Sequence, residues 1–282
     1  MRAHRGVQYA LLLPAVLWVL AFTIYPLLYS VRLSFYRVRV GRSDIFVGLD
    51  NYARMLADQR LWESARVTLV YVVAAVAIEV LLGLALALLY TNPMPGRSAW
   101  RAILSLPLFA TPIAVGYLFF TIFYEEGGLI NAFLPWRVPW LSNPQWAVAS
   151  IVLVDVWQWT PFAFLVLLAG LQNIPEDLFE AARLEARSRW QLFRHITLPL
   201  IGPTLVIVLL FRLTEALKVL DIPFSLTGGG PGTATQVYSL YAYRTGLRFF
   251  DLGYASAMAL VLLVFVMIIV TALFRRVRET YE

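Results

Sequence analysis

The chain has 282 residues, of which 60% are hydrophobic and only 14% are charged, and its mean hydropathy is +0.72. Because the apolar share of a soluble domain is about half, this composition predicts a membrane protein. The net charge of +6 does not indicate nucleic acid, since Lys218 is the single lysine and the arginines are scattered between apolar runs. The lack of cysteine excludes disulfides and thiolate chemistry, and two histidines make a histidine-based metal site implausible.

Six apolar runs are long enough to cross a bilayer core of about 30 Å, which needs roughly 20 helical residues. In chain order they are approximately Tyr9 to Val31, Val67 to Tyr90, Ala102 to Tyr124, Ala147 to Leu171, Leu198 to Leu220 and Ala255 to Phe274. The first run is too long for a signal peptide and has no small-residue cleavage site, so it is predicted to be a retained span. The sequence therefore predicts an all-α, polytopic membrane protein with six transmembrane helices, forming one domain over residues 1–282.

Proline and charged residues interrupt the apolar runs at a few positions. Pro107, Pro112 and Pro161 are predicted to interrupt or bend their helices. A charge near the middle of a bilayer costs several kcal/mol unless it faces a cavity or a partner, so each one is a functional candidate. The candidates are Glu79, Asp155, Arg212 and Glu215.

The fourth run carries a mixed polar and aromatic pattern. Asp155, Gln158, Trp159 and Phe162 recur at i, i+3, i+4 and i+7, which predicts one shared helix face. A carboxylate, an amide and two aromatic rings suit a sugar, because hydroxyls need donors and acceptors while ring faces stack on aromatic side chains.

The charged residues of the spans also have a simpler interpretation. Asp155 and Arg212 can neutralise each other across a helix contact, which is compatible with lining a path. Arg212 and Glu215 stand one turn apart in the fifth run. Glu79 lies among Val, Ile and Leu, which favours a structural hydrogen bond to a neighbouring helix over transport chemistry.

A polar interval from Gln172 to Thr197 separates the fourth and fifth runs. Pro175 followed by acidic residues predicts a short helix from about Pro175 to Glu185. Ser188 followed by Gln191 fits a capping box and predicts a second helix that begins near Arg189.

Three loops between the runs carry recognisable sequences. Gly48–Tyr52 reads GLDNY, and the loop from Glu125 to Trp146 contains three tryptophans, which indicates an anchor at the membrane interface rather than a sugar site. Leu226–Thr235 reads LTGGGPGTAT, but it lacks the lysine that a phosphate-binding P-loop requires.

The segment from Glu180 to Pro199, EAARLEARSRWQLFRHITLP, resembles the EAA loop of the permease subunits of bacterial ABC importers. The positions that match are Glu180, Ala181, Ala182, Glu185, Ile196, Leu198 and Pro199. The chain departs from the pattern at Ala186, where the family has glycine, which would allow a left-handed turn. GLDNY, LTGGGP and the later GYASA are similar to sequences of carbohydrate permeases of the maltose and glycerol 3-phosphate type.

This resemblance implies an ABC type I importer permease fold and a chain without its own ATPase site. The cytoplasmic coupling loop, residues 172–197, would contact an ATPase through Glu180, Ala181, Ala182, Glu185 and Ala186. The substrate path would be bordered by Asp155, Gln158, Trp159, Phe162, Arg212 and Glu215.

The implied partners are a second homologous permease, two cytoplasmic ABC ATPase subunits that hold ATP and Mg²⁺, an extracytoplasmic solute-binding protein and membrane lipid. The implied substrate is a carbohydrate, a di- or oligosaccharide; neither a cofactor nor a metal is expected in this chain. Basic residues divide evenly between the two sides of the membrane, but the short segments favour cytoplasmic termini. The cytoplasmic position of the EAA loop is the stronger reason to place both termini inside the cell.

Two other classes of protein fit the sequence less well. An ion-coupled secondary transporter needs intramembrane carboxylates, which are present, and usually paired repeats, which are not detectable. A membrane-embedded enzyme needs a nucleophile with a base or a metal site, and two histidines without cysteine argue against both.

Overall fold

The fold is known from a computed structural model that describes residues 3–39, 41, 43–91, 94–185 and 188–281, with the backbone alone for 3–10, 181–185 and 276–281. The α-helices are α1 (Ala3–Val19), α2 (Tyr25–Ser34), α3 (Asp50–Ala57), α4 (Gln59–Leu89), α5 (Arg97–Ser105), α6 (Pro112–Ile122), α7 (Leu129–Phe133), α8 (Pro144–Gln172), α9 (Glu176–Glu185), α10 (Arg189–Leu192), α11 (Leu198–Leu217), α12 (Tyr238–Tyr243) and α13 (Leu252–Tyr281). Short π-helical turns join α1 to α2 and α10 to α11. Two strands, β1 (Tyr36–Arg37) and β2 (Ile45–Phe46), pair antiparallel.

Within the described residues, five helices are long and apolar enough to cross a membrane. They are Leu11–Ser34, Gln59–Leu89, Pro144–Gln172, Arg189–Leu217 and Leu252–Arg275. A sixth span arises if the bent pair Arg97–Phe109 and Pro112–Ile122 is counted as one. The predicted all-α, polytopic architecture is therefore confirmed.

The third predicted span is broken rather than straight. Its two halves meet at an angle of 100°. Pro107 lies in a 3₁₀ turn, Leu106–Phe109, and Pro112 begins α6, so neither provides the backbone N–H that a continuous helix requires. The interruption predicted from these two prolines is confirmed. Pro161, in contrast, lies inside α8 without ending it.

The backbone groups into two compact units. One comprises Met1–Leu61 and Tyr241–Phe265, and the other comprises Trp62–Leu240 and Val266–Glu282. The assignment of residues 1–282 to a single permease domain stays a prediction.

The core of the larger unit forms where α4, α8 and α11 pack together. Its buried side chains include Tyr71, Val76, Ile151, Phe164, Leu167, Ile201 and Val208. Two glycines permit close helix contacts: a Cβ at Gly83 would lie 2.7 Å from that of Ala163, and a Cβ at Gly170 would lie 2.7 Å from Thr204 Oγ1. Larger residues at these glycines would force the helices apart.

The tryptophan-rich loop before α8 is folded on itself. Trp140 is buried, its indole N–H donates to Asn131 Oδ1 over 3.0 Å, and its ring stacks on Phe123. The predicted interfacial role is therefore wrong for Trp140, because its polar N–H is satisfied inside the loop. Trp136 and Trp146 are exposed, so interfacial anchoring stays a prediction for them.

The LTGGGPGTAT segment, Leu226–Thr235, forms a closed turn. Gly228, Gly229 and Gly232 all have positive φ, a conformation that side chains disfavour. The hydroxyls of Thr227 and Thr235 are 2.6 Å apart, and Thr235 also donates to the Gly230 carbonyl. The glycines thus serve the shape of the turn.

The smaller unit gives GLDNY a structural role. Asn51 is buried, and its side-chain amide donates to the carbonyls of Ser34 at 2.8 Å and Tyr36 at 3.0 Å, which fixes α3 against the end of α2. Gly253, from the GYASA sequence, lies so close to the Tyr36 backbone that no Cβ fits there. Both family-like sequences therefore stabilise the same strand segment.

Asp58 connects the start of α4 with α12 and with the start of α13. Its Oδ1 accepts from the backbone N–H groups of Arg60 and Leu61, which caps the N-terminus of α4. Its Oδ2 accepts from the hydroxyls of Tyr241 at 2.8 Å and Tyr254 at 2.6 Å. Burial raises the pKa of the Asp58 carboxyl, but these hydrogen bonds outweigh burial and hold the pKa below its usual value. Burial and the bond to Asp58 raise the pKa of Tyr241 to about 12.

Asp58→Ala is expected to lower the free energy of unfolding by about 2 to 4 kcal/mol, because a cap is lost and two tyrosine hydroxyls lose their acceptor. Since the folded-state pKa is depressed, this contribution is present above the carboxyl's unfolded pKa and is lost as pH falls through the folded value. Denaturant unfolding of the purified wild type and variant at several pH values measures this contribution to the free energy of unfolding.

Asp50→Ala is the matched control for this experiment. Asp50 pairs with Arg37 at 2.9 Å, but both side chains are more than half exposed, so the loss should stay below about 1 kcal/mol. Equal effects of the two replacements would contradict the structural role of Asp58.

Candidate functional site

Three core helices each contribute one charged residue to a single cluster. Glu79 comes from α4, Asp155 from α8 and Arg212 from α11. Arg212 Nε and Nη2 donate to the two Glu79 carboxylate oxygens at 2.5 and 2.9 Å, and Nη2 also donates to Asp155 Oδ2 at 2.7 Å. The planar guanidinium, with five N–H donors, can bind two carboxylates at once. We call Glu79, Asp155 and Arg212 the ion triad.

The ion triad is removed from solvent. Glu79, Asp155 and Arg212 are 0%, 2% and 1% exposed. An isolated charge in such surroundings is strongly disfavoured, so the guanidinium and the two carboxyl groups depend on one another there. Arg212 and Asp155 thus pair across a helix contact, as the simpler interpretation has it, and Glu79 makes the hydrogen bond to a neighbouring helix that its surroundings favour.

An aromatic face lies beside the ion triad. The Arg212 guanidinium carbon stands 4.6 Å from the centre of the Trp159 ring, which is cation–π geometry. Phe211 lies 6.2 Å from Trp159 and 4.5 Å from Phe162 by ring centres. Trp159 and Phe162 are half-buried and Phe211 is exposed, so part of each ring is uncovered by the rest of the chain. We call these three rings the aromatic face.

Gln158 is not placed as the helical spacing predicts. It is almost fully buried, and its Nε2 donates to the Ala110 carbonyl at 2.9 Å. Ala110 lies in the break between the halves of the bent span, where a backbone carbonyl has no helical partner. Gln158 therefore supports this break instead of presenting its amide beside Trp159.

Glu215 is also separate from the ion triad. Its carboxylate pairs with Lys218 at 3.0 Å, one turn further along, and a third of its side chain is exposed. The spacing of one turn between Arg212 and Glu215 does not bring their charges together, because Arg212 is directed to Glu79 and Asp155. A substrate-path role for Glu215 stays a prediction.

Phe211 is the member of the aromatic face that the sequence pattern missed. It precedes Arg212 in α11, whereas the predicted pattern was confined to α8. An aromatic residue beside an intramembrane charge was the available signal.

The predicted coupling segment consists of two short helices. α9 begins one residue after Pro175, and Ser188 Oγ accepts from the Gln191 N–H at 3.2 Å at the start of α10. Both predicted helices are therefore confirmed. Glu180 is exposed, whereas the side chains of Ala181, Ala182 and Glu185, and the whole of Ala186, lie outside the described residues. ATPase contact through this segment stays a prediction.

These features together define the class: a polytopic helical membrane protein whose spans hold a buried ion cluster beside a partly exposed aromatic face. Residues 79–279 match the family of binding-protein-dependent transport system inner membrane components. The chain belongs to this family.

Named relatives match over nearly the whole chain. It is 39% identical to the trehalose/maltose transport system permease protein MalF of Thermococcus litoralis, over 93% of this chain and 89% of that protein. It is 36% identical to the sulfoquinovosyl glycerol transport system permease protein SmoG of Agrobacterium fabrum, over 96% of this chain and 90% of that protein.

A solved structure shares the fold. A chain of a bacterial ABC transporter involved in the import of the acidic polysaccharide alginate is similar with a TM-score of 0.85 and 26% identity. The similarity covers 99% of this chain and 98% of that chain.

Proposed function

We propose that this chain is the permease subunit of an ABC importer that moves a carbohydrate, a di- or oligosaccharide, across the inner membrane. The carbohydrate is supported by the names of the relatives, which refer to trehalose, maltose and sulfoquinovosyl glycerol. Within the molecule, the proposal of a carbohydrate substrate rests on the aromatic face of Trp159, Phe162 and Phe211, because sugar ring faces stack on aromatic side chains.

The ion triad supports the aromatic face rather than binding sugar directly. Arg212 is held by two carboxylates and in turn lies over Trp159, so the ring orientation depends on three helices. A rigid face costs less entropy when a ligand binds. We therefore assign sugar contact to Trp159 and Phe162, and a positioning role to Asp155 and Arg212.

Energy for transport comes from partner subunits in this proposal. The chain would pair with a second, homologous permease and with two cytoplasmic ATPases that hold ATP and Mg²⁺, while a solute-binding protein delivers the sugar. Segment 172–197 would contact one ATPase, with both chain termini in the cytoplasm. ATP and the loaded binding protein then act by their different affinities for the inward-facing and outward-facing states.

Uptake by the reconstituted complex tests the function. The associated binding protein is first screened against sugars by thermal shift, and the sugar that stabilises it is then offered to proteoliposomes that contain the complete complex. ATP-dependent accumulation of that sugar is expected. Accumulation driven by an ion gradient without the ATPases would contradict the proposal.

Ala182→Trp tests the coupling segment. A large ring at Ala182 should overfill the docking site, so the ATPase should dissociate or lose its stimulation by the loaded binding protein while the spans stay folded. Co-purification and ATP hydrolysis measure this result. Ala186→Gly is the control and should be tolerated, because it restores the family residue. Wild-type assembly and transport in Ala182→Trp would show that docking occurs elsewhere.

A further inference from the structure

The smaller unit contains a cavity that the proposed transport path does not use. It measures about 350 Å³, within the range of small-molecule pockets. Its wall comes from the loop after β1, from α3, from the start of α4 and from the chain around α12. Its lining includes Arg39, Arg54, Arg60, Tyr241, Phe249 and Asp251.

Two of the arginines are already oriented. Arg54 Nη1 lies 2.8 Å from Asp251 Oδ2, and Arg39 Nη2 lies 3.4 Å from the same oxygen. Arg54 also stacks on Tyr254, with 3.9 Å between the guanidinium carbon and the ring centre. Each guanidinium carries five N–H donors, so one shared carboxylate oxygen leaves donors available for a ligand.

Arg60 adds a third positive charge. No carboxylate in the described part of the chain lies within salt-bridge distance of its guanidinium. Asp58, the nearest acid in sequence, already accepts from two tyrosine hydroxyls. Three arginines therefore face one lining carboxylate, and the cavity is net positive even when Asp58 is counted.

The remaining lining residues favour a sugar over a bare anion. Phe249 is 65% exposed, which leaves a ring surface for stacking. Tyr241 and Asp251 contribute further apolar and polar surface. A free carboxylate needs only the guanidinium groups, whereas a sugar acid has both a carboxylate and an apolar ring face.

We propose that this cavity binds the carboxylate of a sugar acid, such as a hexuronate unit, through Arg39, Arg54 and Arg60, with the sugar ring against Phe249. The inference deepens the proposed function, because it gives the imported carbohydrate an acidic group. In the proposed orientation, the segment between the first two spans faces the side from which substrate arrives. Bidentate arginine–carboxylate pairing supplies both affinity and geometry.

Glucuronate binding to the complete complex in lipid nanodiscs tests the inference, with glucose, acetate and inorganic phosphate as comparison ligands. Calorimetric titration should show saturable binding of glucuronate that weakens as salt is added, and no binding of glucose. Arg60→Gln should weaken binding about tenfold or more, because a charge-assisted hydrogen bond is lost. Arg39→Gln provides a second test on another wall of the cavity.

Arg248→Gln is the matched control, since it removes the same charge from a nearby turn that does not line the cavity, and glucuronate should bind it normally. Three outcomes overturn the inference: no glucuronate binding, equal binding of acetate or phosphate, or an Arg60→Gln defect confined to the interaction with the binding protein. Glucuronate binding does not depend on transport. Import of a neutral sugar without glucuronate binding would thus reject the inference alone, and glucuronate binding without any carbohydrate import would reject the proposed function.

Discussion

Arg212→Met is expected to destabilise the chain by about 3 to 5 kcal/mol and to prevent assembly of the importer. The replacement leaves Glu79 and Asp155 buried without the guanidinium that now binds both of them. Membrane insertion, co-purification with partner subunits and thermal unfolding in detergent measure the loss. Arg137→Gln, at an exposed arginine of the loop before α8, is the control and should assemble normally.

A compensating variant separates charge from shape in the ion triad. Glu79→Gln, Asp155→Asn and Arg212→Gln together remove all three charges and retain polar side chains of similar reach. Assembly should recover in this triple variant, because no unpaired buried charge remains. Asp155→Asn with Arg212→Gln alone should not recover, since Glu79 is still unpaired. Normal assembly of Arg212→Met would show that the triad does not hold the helices together.

Trp159→Ala is expected to reduce sugar uptake roughly tenfold or more while the complex still assembles. The ring is half-buried, and its loss removes a surface on which the sugar can stack. A tenfold loss of affinity corresponds to about 1.4 kcal/mol of binding free energy. Uptake into proteoliposomes at several sugar concentrations measures the change. Trp159→Phe should retain a larger share of uptake, because a smaller aromatic surface remains below Arg212.

Trp157→Ala is the matched control for this experiment. Trp157 lies two residues away on α8, is 42% exposed and packs edge-on against Phe119 rather than beside Arg212. The Trp157→Ala variant should transport sugar like the wild type. Loss of uptake in both variants would indicate a general defect of α8, and full uptake in Trp159→Ala would remove the aromatic face as the sugar site.

The two predictions are linked through Arg212, which contacts both carboxylates and the Trp159 ring. A change in any of the three helices would therefore alter the aromatic face. We expect movement of these helices between transport states to keep the triad intact, because separating its charges inside the protein costs more than moving the helices as one body.

Local sequence signals predicted several elements well. The apolar runs identified the spans, since a helix needs a minimum apolar length to cross a bilayer. Pro107 and Pro112 predicted the broken span because proline lacks a backbone N–H. Ser188 predicted the start of α10 through a hydrogen bond only three residues along the chain. Each of these signals depends only on residues that are close together in the sequence.

By itself, the sequence determined which residues are apolar, charged or unable to continue a helix, and hence the number and approximate bounds of the spans. The tertiary structure decided which polar groups meet. Helical periodicity placed Gln158 beside Asp155, but helix packing gave it the Ala110 carbonyl, 48 residues away. Glu79 and Arg212, 133 residues apart, pair because α4 and α11 pack with these faces together. Periodicity defines a residue's position around its own helix, whereas its partner depends on how that helix is rotated against the others.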